Sequence, residues 1–173
     1  MAWTVNDDAV AGCGGLEQEA ETATLFGHFA IGNDVNASGG SYIAVPDGTR
    51  NSGFGSSSRA EFCFTTQEAG TYQLSGHVYA ANGGSDSVFV TVNGQPSSGY
   101  LWDMLQNSVY SADYLNDRGN ADPVQLSLSA GEHAITIYLR EDGARIDKLT
   151  LELIGSGPAN SPPTLSNPGD QSN

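Results

Sequence analysis

From Arg59 to Leu153 the chain alternates apolar and polar residues in short runs, and Gly, Asn, Asp or Pro interrupts them. Side chains on a strand point to opposite faces at period two, so alternation of this kind marks strands with one buried face. The segments "GLEQEAET", "SYIAVP", "RAEFCFTT", "TYQLSGHVYA", "SVFVTVNG", "PVQLSLS", "HAITIYLR" and "RIDKLTLEL" all read this way. Between them lie turn sequences such as "QEAG", "ANGGSD", "SAGE" and "EDGA". No stretch carries a helical period, and no repeat is present. Many short antiparallel strands predict an all-β fold, a jelly-roll β-sandwich of two antiparallel sheets. Tyr72, Leu74, Val78 and Ala80 are expected to face the core, with Gln73, Ser75, His77 and Tyr79 opposite. The stretches 24–41 and 97–121 show no such pattern and read as long loops, the usual place for function.

At 173 residues the chain is long enough for one well-buried core. Residues 16–154 are expected to form the sandwich, behind a lead-in segment 1–15. Residues 155–173, "GSGPANSPPTLSNPGDQSN", hold four of the seven prolines and one charge, which suits a linker to a further domain. Their last part resembles the opening of immunoglobulin-like repeats in bacterial surface proteins. The opening "MAWTVNDDAVAG" lacks the basic start and apolar run of a signal peptide, and the chain reads as one module of a longer protein. Cys13 and Cys63 satisfy either one disulfide or two buried thiols. Six basic against 20 acidic residues give a net charge of −14. That balance argues against nucleic acid and anionic membrane surfaces as partners.

One acid stands out. In "RIDKLTLEL" period two sets Asp147 on the same face as Leu149, Leu151 and Leu153, and a buried, unpaired carboxylate is costly. In "LEQEAET" the same count puts Glu17, Glu19 and Glu21 on one face, with almost no Lys or Arg to offset them. A calcium ion, which takes oxygen ligands, would neutralise such a group if the first and last strands pair. A solvated edge for the glutamates and a strand-end position for Asp147 would do without one.

The ordered motifs "EAE" (19–21), "ASGGSYI" (37–43), "AGTYQLSGHVYA" (69–80), "SVFVTVNG" (87–94), "LSAGEHAITI" (128–137) and "REDGARIDKLTL" (140–151) resemble carbohydrate-binding modules of the family 6 and family 35 type. The resemblance implies a jelly roll with a structural calcium held by Glu19, Glu21 and Asp147. It also implies a sugar site either in the loops at one end of the sandwich or on the concave sheet face. A pyranose packs its C–H face on an aromatic ring while polar groups take its hydroxyls. Within 97–121, Trp102 is the first candidate platform, against the alternative of a core Trp, with Tyr100 and Asp103 beside it. Tyr42 is the second candidate ring. Asp142 and Arg145 stand where family members often place an Asn, and Arg145 suits either a uronate carboxylate or a surface pair with Glu141 or Asp142. Some family 35 members hold a second calcium at the sugar site, to which Asp34, Asn36 and Asp47 would contribute here.

No zinc spacing, nucleophile elbow or phosphate loop is present, so an enzyme is the least favoured class. The expectation is a non-catalytic module of a secreted or cell-surface, extracellular bacterial protein, covalently linked to further domains and binding a polysaccharide or oligosaccharide. A calcium-stabilised spacer or adhesin domain is the alternative.

Overall fold

The computed structural model of the chain describes residues 13–157. Twelve strands form two antiparallel sheets, as the alternation predicts. In the first sheet β6 (Gly70–Ala80) and β12 (Arg145–Ser156) lie side by side at the centre. The outer edge of β6 is covered by β9 (Asn107–Tyr114) and β10 (Leu126–Leu128). The outer edge of β12 is covered by β1 (Glu17–Glu19) and β4 (Ser41–Ala44), and β3 (Ala30–Asn33) follows β4. The second sheet runs β2 (Thr24–Phe26), β5 (Arg59–Thr66), β11 (Gly131–Leu139), β7 (Ser87–Val92), β8 (Gln95–Asp103).

Leu74 and Val78 of β6, Leu149 and Leu151 of β12, Val88 and Val90 of β7 and Ile135 and Ile137 of β11 all turn into one apolar core. Burial alternates residue by residue through β6, with His77 and Tyr79 on its outer face. Side-chain burial of this extent, at about 25 cal/mol per Å² of apolar surface, is the main stabilising term.

Cys13 and Cys63 form a disulfide, their Cα atoms 4.7 Å apart. Gly14 pairs with β5 through Gly14 N–H to Cys63 O and Thr65 N–H to Gly14 O. Gly14, in the expected lead-in segment 1–15, is thus tied to the second sheet. At the other end β12 continues to Ser156, two residues past the expected end at 154. Residues 1–12 and 158–173, most of the expected lead-in and linker, lie outside the described residues.

The stretch 97–121 is not a loop. It contains most of β8 and all of β9, and 24–41 contains β2 and β3. These strands lie at or near sheet edges, so few of their residues need be apolar and the alternation is weak. This corrects the placement of Trp102. On β8 it pairs with Val88 and points into the core with 0% of its surface exposed. Gly76 on the facing sheet makes room for it: a Cβ there would come within 2.7 Å of the indole ring. The indole Nε1 donates to Asp113 Oδ2 of β9 at 2.8 Å, so the ring joins the two sheets and offers no face to a ligand.

Burial pushes the Asp113 carboxyl above its usual range, although the Trp102 N–H bond works against the rise. A carboxyl with a raised folded-state pKa contributes no penalty while it is protonated. It costs stability progressively as pH rises above about 3.8, its unfolded value. Asp113→Asn retains an oxygen for the indole and removes the charge. It is expected to raise the melting temperature at pH 7, with the gain vanishing below pH 4. Thermal unfolding of both proteins across that range checks it.

Candidate functional site

Two groups of polar side chains meet on the first sheet. The first lies where β12 enters the sheet. Ile146 pairs with Val78 and Lys148 with His77, while Asp147 between them has no partner, a β-bulge. The bulge frees the Asp147 carboxylate to reach His77 Nδ1, at 2.5 Å from Oδ2. Asp147 is fully buried, as expected, but its carboxylate meets the side of the sheet that carries His77 and is capped by the Ser38–Gly40 turn. Ser38 N–H donates to Asp147 Oδ2 at 2.9 Å and Ser38 Oγ to Glu19 Oε1 at 2.8 Å.

The expected run of three glutamates on one face is broken. The strand stops at Glu19 and a 3-10 turn, Ala20–Thr22, follows, driven by burial of Ala20. Glu17 is left at the surface, 3.2 Å from Lys148 Nζ. Glu19 and Glu21 go the other way. Among the described residues, five side-chain oxygens are buried without a hydrogen-bond partner, and three are Glu19 Oε2, Glu21 Oε2 and Asp147 Oδ1. Buried polar atoms are nearly always satisfied, so three orphaned carboxylate oxygens, on β1, the turn after it and β12, suit the oxygen ligands of a cation. The ligand atoms of Glu19, Glu21 and Asp147 do not all lie within 4.8 Å of one another. The sole group of three His, Cys, Asp or Glu side chains with ligand atoms all within 4.8 Å of one another, among the described residues, is Cys13, Cys63 and Glu132. Its sulfurs are consumed by the disulfide, which leaves no thiolate ligand.

The second group forms an aromatic face beside the first. Arg145 opens β12 and pairs with Ala44 of β4 and Tyr79 of β6. Its guanidinium lies 4.7 Å from the ring centre of Tyr42 and 4.7 Å from that of Tyr79. Tyr42 reaches it because its cross-strand neighbour is Gly32, where a Cβ would come within 2.3 Å of the phenol. Tyr110 on β9 completes the cluster, with its ring 5.5 Å from Tyr79, 5.7 Å from His77 and 6.3 Å from Tyr42. Its hydroxyl is buried beside Arg145, and burial, outweighing the pull of that cation, holds the phenol up at about 12, so it stays protonated.

A cleft of about 380 Å³ opens over these rings, walled by Asp34, Asn36, His77, Tyr79 and Tyr110. A second cleft of about 480 Å³ shares Asn36 and His77 and continues along the sheet to Lys148. Together they form a groove of the size that accepts small ligands. A larger cleft, about 700 Å³, lies beside the disulfide and β1, and among its lining residues the one aromatic is Phe62, itself in the core.

The candidate residues read from the sequence thus separate. Tyr42 and Arg145 come together, while Tyr100 packs against the core at the edge strand β8. Asp103 forms an ion pair with Arg118 at the far end of the same strand. Asp142 is 8% exposed in the turn before β12, its N–H bonded to Asn51 Oδ1 at 3.1 Å. Arg145 pairs with neither Glu141 nor Asp142, because Glu141 is taken by Arg140 and Ser87. Its partner is Asp34, at 3.0 Å. Of the acids suggested for a second calcium, Asp34 is thereby occupied. Tyr79, Tyr110, His77 and Asn36 were missed as a set. Tyr79 and His77 were legible as outward-facing, but β9 was not recognised as the strand that brings Tyr110 to them.

No family model and no curated protein matches the chain. Solved structures do. A family 35 carbohydrate-binding module from Clostridium thermocellum is 25% identical over 78% of this chain and 96% of that one, with a TM-score of 0.58. The Podospora anserina GH26-CBM35 beta-(1,4)-mannanase is 23% identical over 88% of this chain, with a TM-score of 0.60. An exo-beta-1,3-galactanase from Phanerochaete chrysosporium, solved with beta-1,3-galactotriose, is 21% identical over 79% of this chain, with a TM-score of 0.59. This chain spans 29% of the galactanase and 30% of the mannanase, against nearly all of the free-standing module. The neighbours therefore include family 35 modules, the resemblance read from the sequence, and the fold is that of their jelly-roll sandwich. Among the described residues no helix is long and apolar enough to cross a membrane.

Proposed function

We propose that the chain is a non-catalytic carbohydrate-binding module of a secreted, multidomain protein that binds a glycan in the groove over Tyr79, Tyr110 and His77. The observation that carries this reading is the convergence of Tyr79, Tyr110 and His77 on an open groove with Asp34 and Asn36 at its wall, Tyr42 packing beside Tyr110. Rings supply stacking surface for the C–H face of a pyranose, and the Asn36 amide and the imidazole supply direction for its hydroxyls. The chain's likeness to part of a GH26-CBM35 mannanase and to part of an exo-beta-1,3-galactanase supports a polysaccharide or oligosaccharide partner and a covalently linked neighbour. Calcium, held by Glu19, Glu21 and Asp147, would supply the counter-charge for one buried carboxylate and two half-buried ones, each with an unpartnered buried oxygen. Those residues then fix β1, the Ser38 turn and β12 to one another.

The alternative, a calcium-stabilised spacer without sugar binding, draws support from the burial of Trp102 and from Arg145, which occupies one face each of Tyr42 and Tyr79. Affinity electrophoresis separates the two. Retardation in at least one of the galactomannan, xyloglucan and arabinogalactan gels is expected for the wild type, with polygalacturonate as the acidic comparison, and an affinity loss of tenfold or more is expected in Tyr110→Ala, of the order that aromatic hot spots carry. Unretarded migration of the folded wild type in all four would leave the spacer reading standing.

A further inference from the structure

The charges around the groove are closed, and that closure has a consequence for the ligand. Two permanent cations stand at the groove: Lys148 lines it, and Arg145 lies behind its wall residues Asp34 and Tyr79. Lys148 Nζ stands 3.2 Å from Glu17 and Arg145 Nη1 stands 3.0 Å from Asp34. The third basic group, His77, gives its Nδ1 to Asp147. A uronate carboxylate is recognised best by a guanidinium fork free to offer two parallel N–H bonds. Here one Nη is engaged, and the plane is held between Tyr42 and Tyr79.

Asp34 is itself held firmly. Its Oδ1 accepts from Asn36 N–H at 3.0 Å and from the Asn36 side-chain amide at 3.0 Å, which leaves Oδ2 directed to Arg145. The Asn36 backbone bond, with the amide and Arg145 adding to it, keeps the carboxyl below its ordinary range, so the ion pair persists at mildly acidic pH. Beyond contact distance, a net charge of −14 repels a polyanion before it arrives.

We propose that Asp34 is a specificity-determining residue of the groove: by closing the charge of Arg145 it reserves the site for uncharged glycans and excludes uronic-acid polymers. This rests on the reading of the groove as the sugar site. Of the two roles for Arg145 left open by the sequence, uronate clamp and ion-pair partner, the geometry points to the second, with an acid from the β3–β4 connection as its partner.

The test compares the wild type, Asp34→Asn and Asp34→Asn/Arg145→Gln on gels containing neutral galactomannan, xyloglucan or arabinogalactan and on gels containing polygalacturonate or alginate. Asparagine keeps the oxygen that Asn36 bonds and removes the charge. The wild type is expected to be retarded by at least one neutral polymer and by neither acidic one. Asp34→Asn is expected to gain about tenfold in affinity for the acidic polymers, the order of one charge-assisted hydrogen bond. The gain should shrink with added salt and vanish in the double variant. Retardation of the wild type by an acidic polymer overturns the proposal whether or not any variant folds. So does an Asp34→Asn protein that keeps neutral binding and gains nothing on the acids. Failure of the folded wild type and Asp34→Asn to bind any polymer overturns the sugar-site reading itself, and this inference with it.

Discussion

Chelation of calcium is expected to lower the melting temperature of this module by about 10 °C. A ligand that binds only the folded state stabilises it by RT ln(1 + [L]/Kd), about 4 kcal/mol at a thousandfold excess over Kd. For a domain of this size each kcal/mol moves the midpoint by about 2–4 °C. The expectation rests on Glu19 Oε2, Glu21 Oε2 and Asp147 Oδ1, buried oxygens to which the protein supplies no donor. Left without a cation, these oxygens are desolvated with no compensating partner, which costs stability. Calorimetry in calcium and in chelator measures the difference. Glu21→Gln, which removes a charge at nearly constant shape, should abolish most of the calcium response. Identical midpoints with and without calcium in the wild type would show that the three acids are tolerated unaided.

The second large effect belongs to Trp102. Trp102→Ala is expected to cost about 3–5 kcal/mol, the usual range for a large aromatic removed from a core. The indole is fully enclosed, fits a gap that Gly76 leaves on the opposite sheet, and satisfies Asp113. Its removal leaves a cavity and a carboxylate without its donor, both destabilising. Urea unfolding gives the magnitude. Trp102→Phe should recover part of the loss, and its folded form should bind glycan as the wild type does. A folded Trp102→Phe that loses glycan binding while Tyr110→Ala retains it would return the ligand site to Trp102.

Much of this architecture was legible in the sequence because strands buried on one face must alternate. β5, β6, β7, β11 and β12 were each recognisable by that rule, and burial along β6 follows it residue by residue. Edge strands obey it weakly. The polar opening of β8 and the exposed Ser108 and Val109 of β9 hid both strands, and with them the burial of Trp102 and the position of Tyr110. Asp147 was legible as a buried acid. The bulge that turns it to His77 was not, since a bulge depends on the pairing of two strands far apart in sequence. Likewise the Arg145–Asp34 pair joins residues separated by 111 positions, and nothing local to either residue announces the other.

The groove itself is tested most directly by nitrogen-15 chemical-shift mapping of the labelled chain, in calcium, titrated with manno-, galacto-, xylo- and cello-oligosaccharides. The account predicts saturable shifts with at least one of them, concentrated at Asp34 and Asn36, Tyr79, Tyr110 and Arg145. Saturable shifts confined to the Asp86, Asp103 and Glu141 end of the sandwich, or to the outer face of the second sheet, would contradict it.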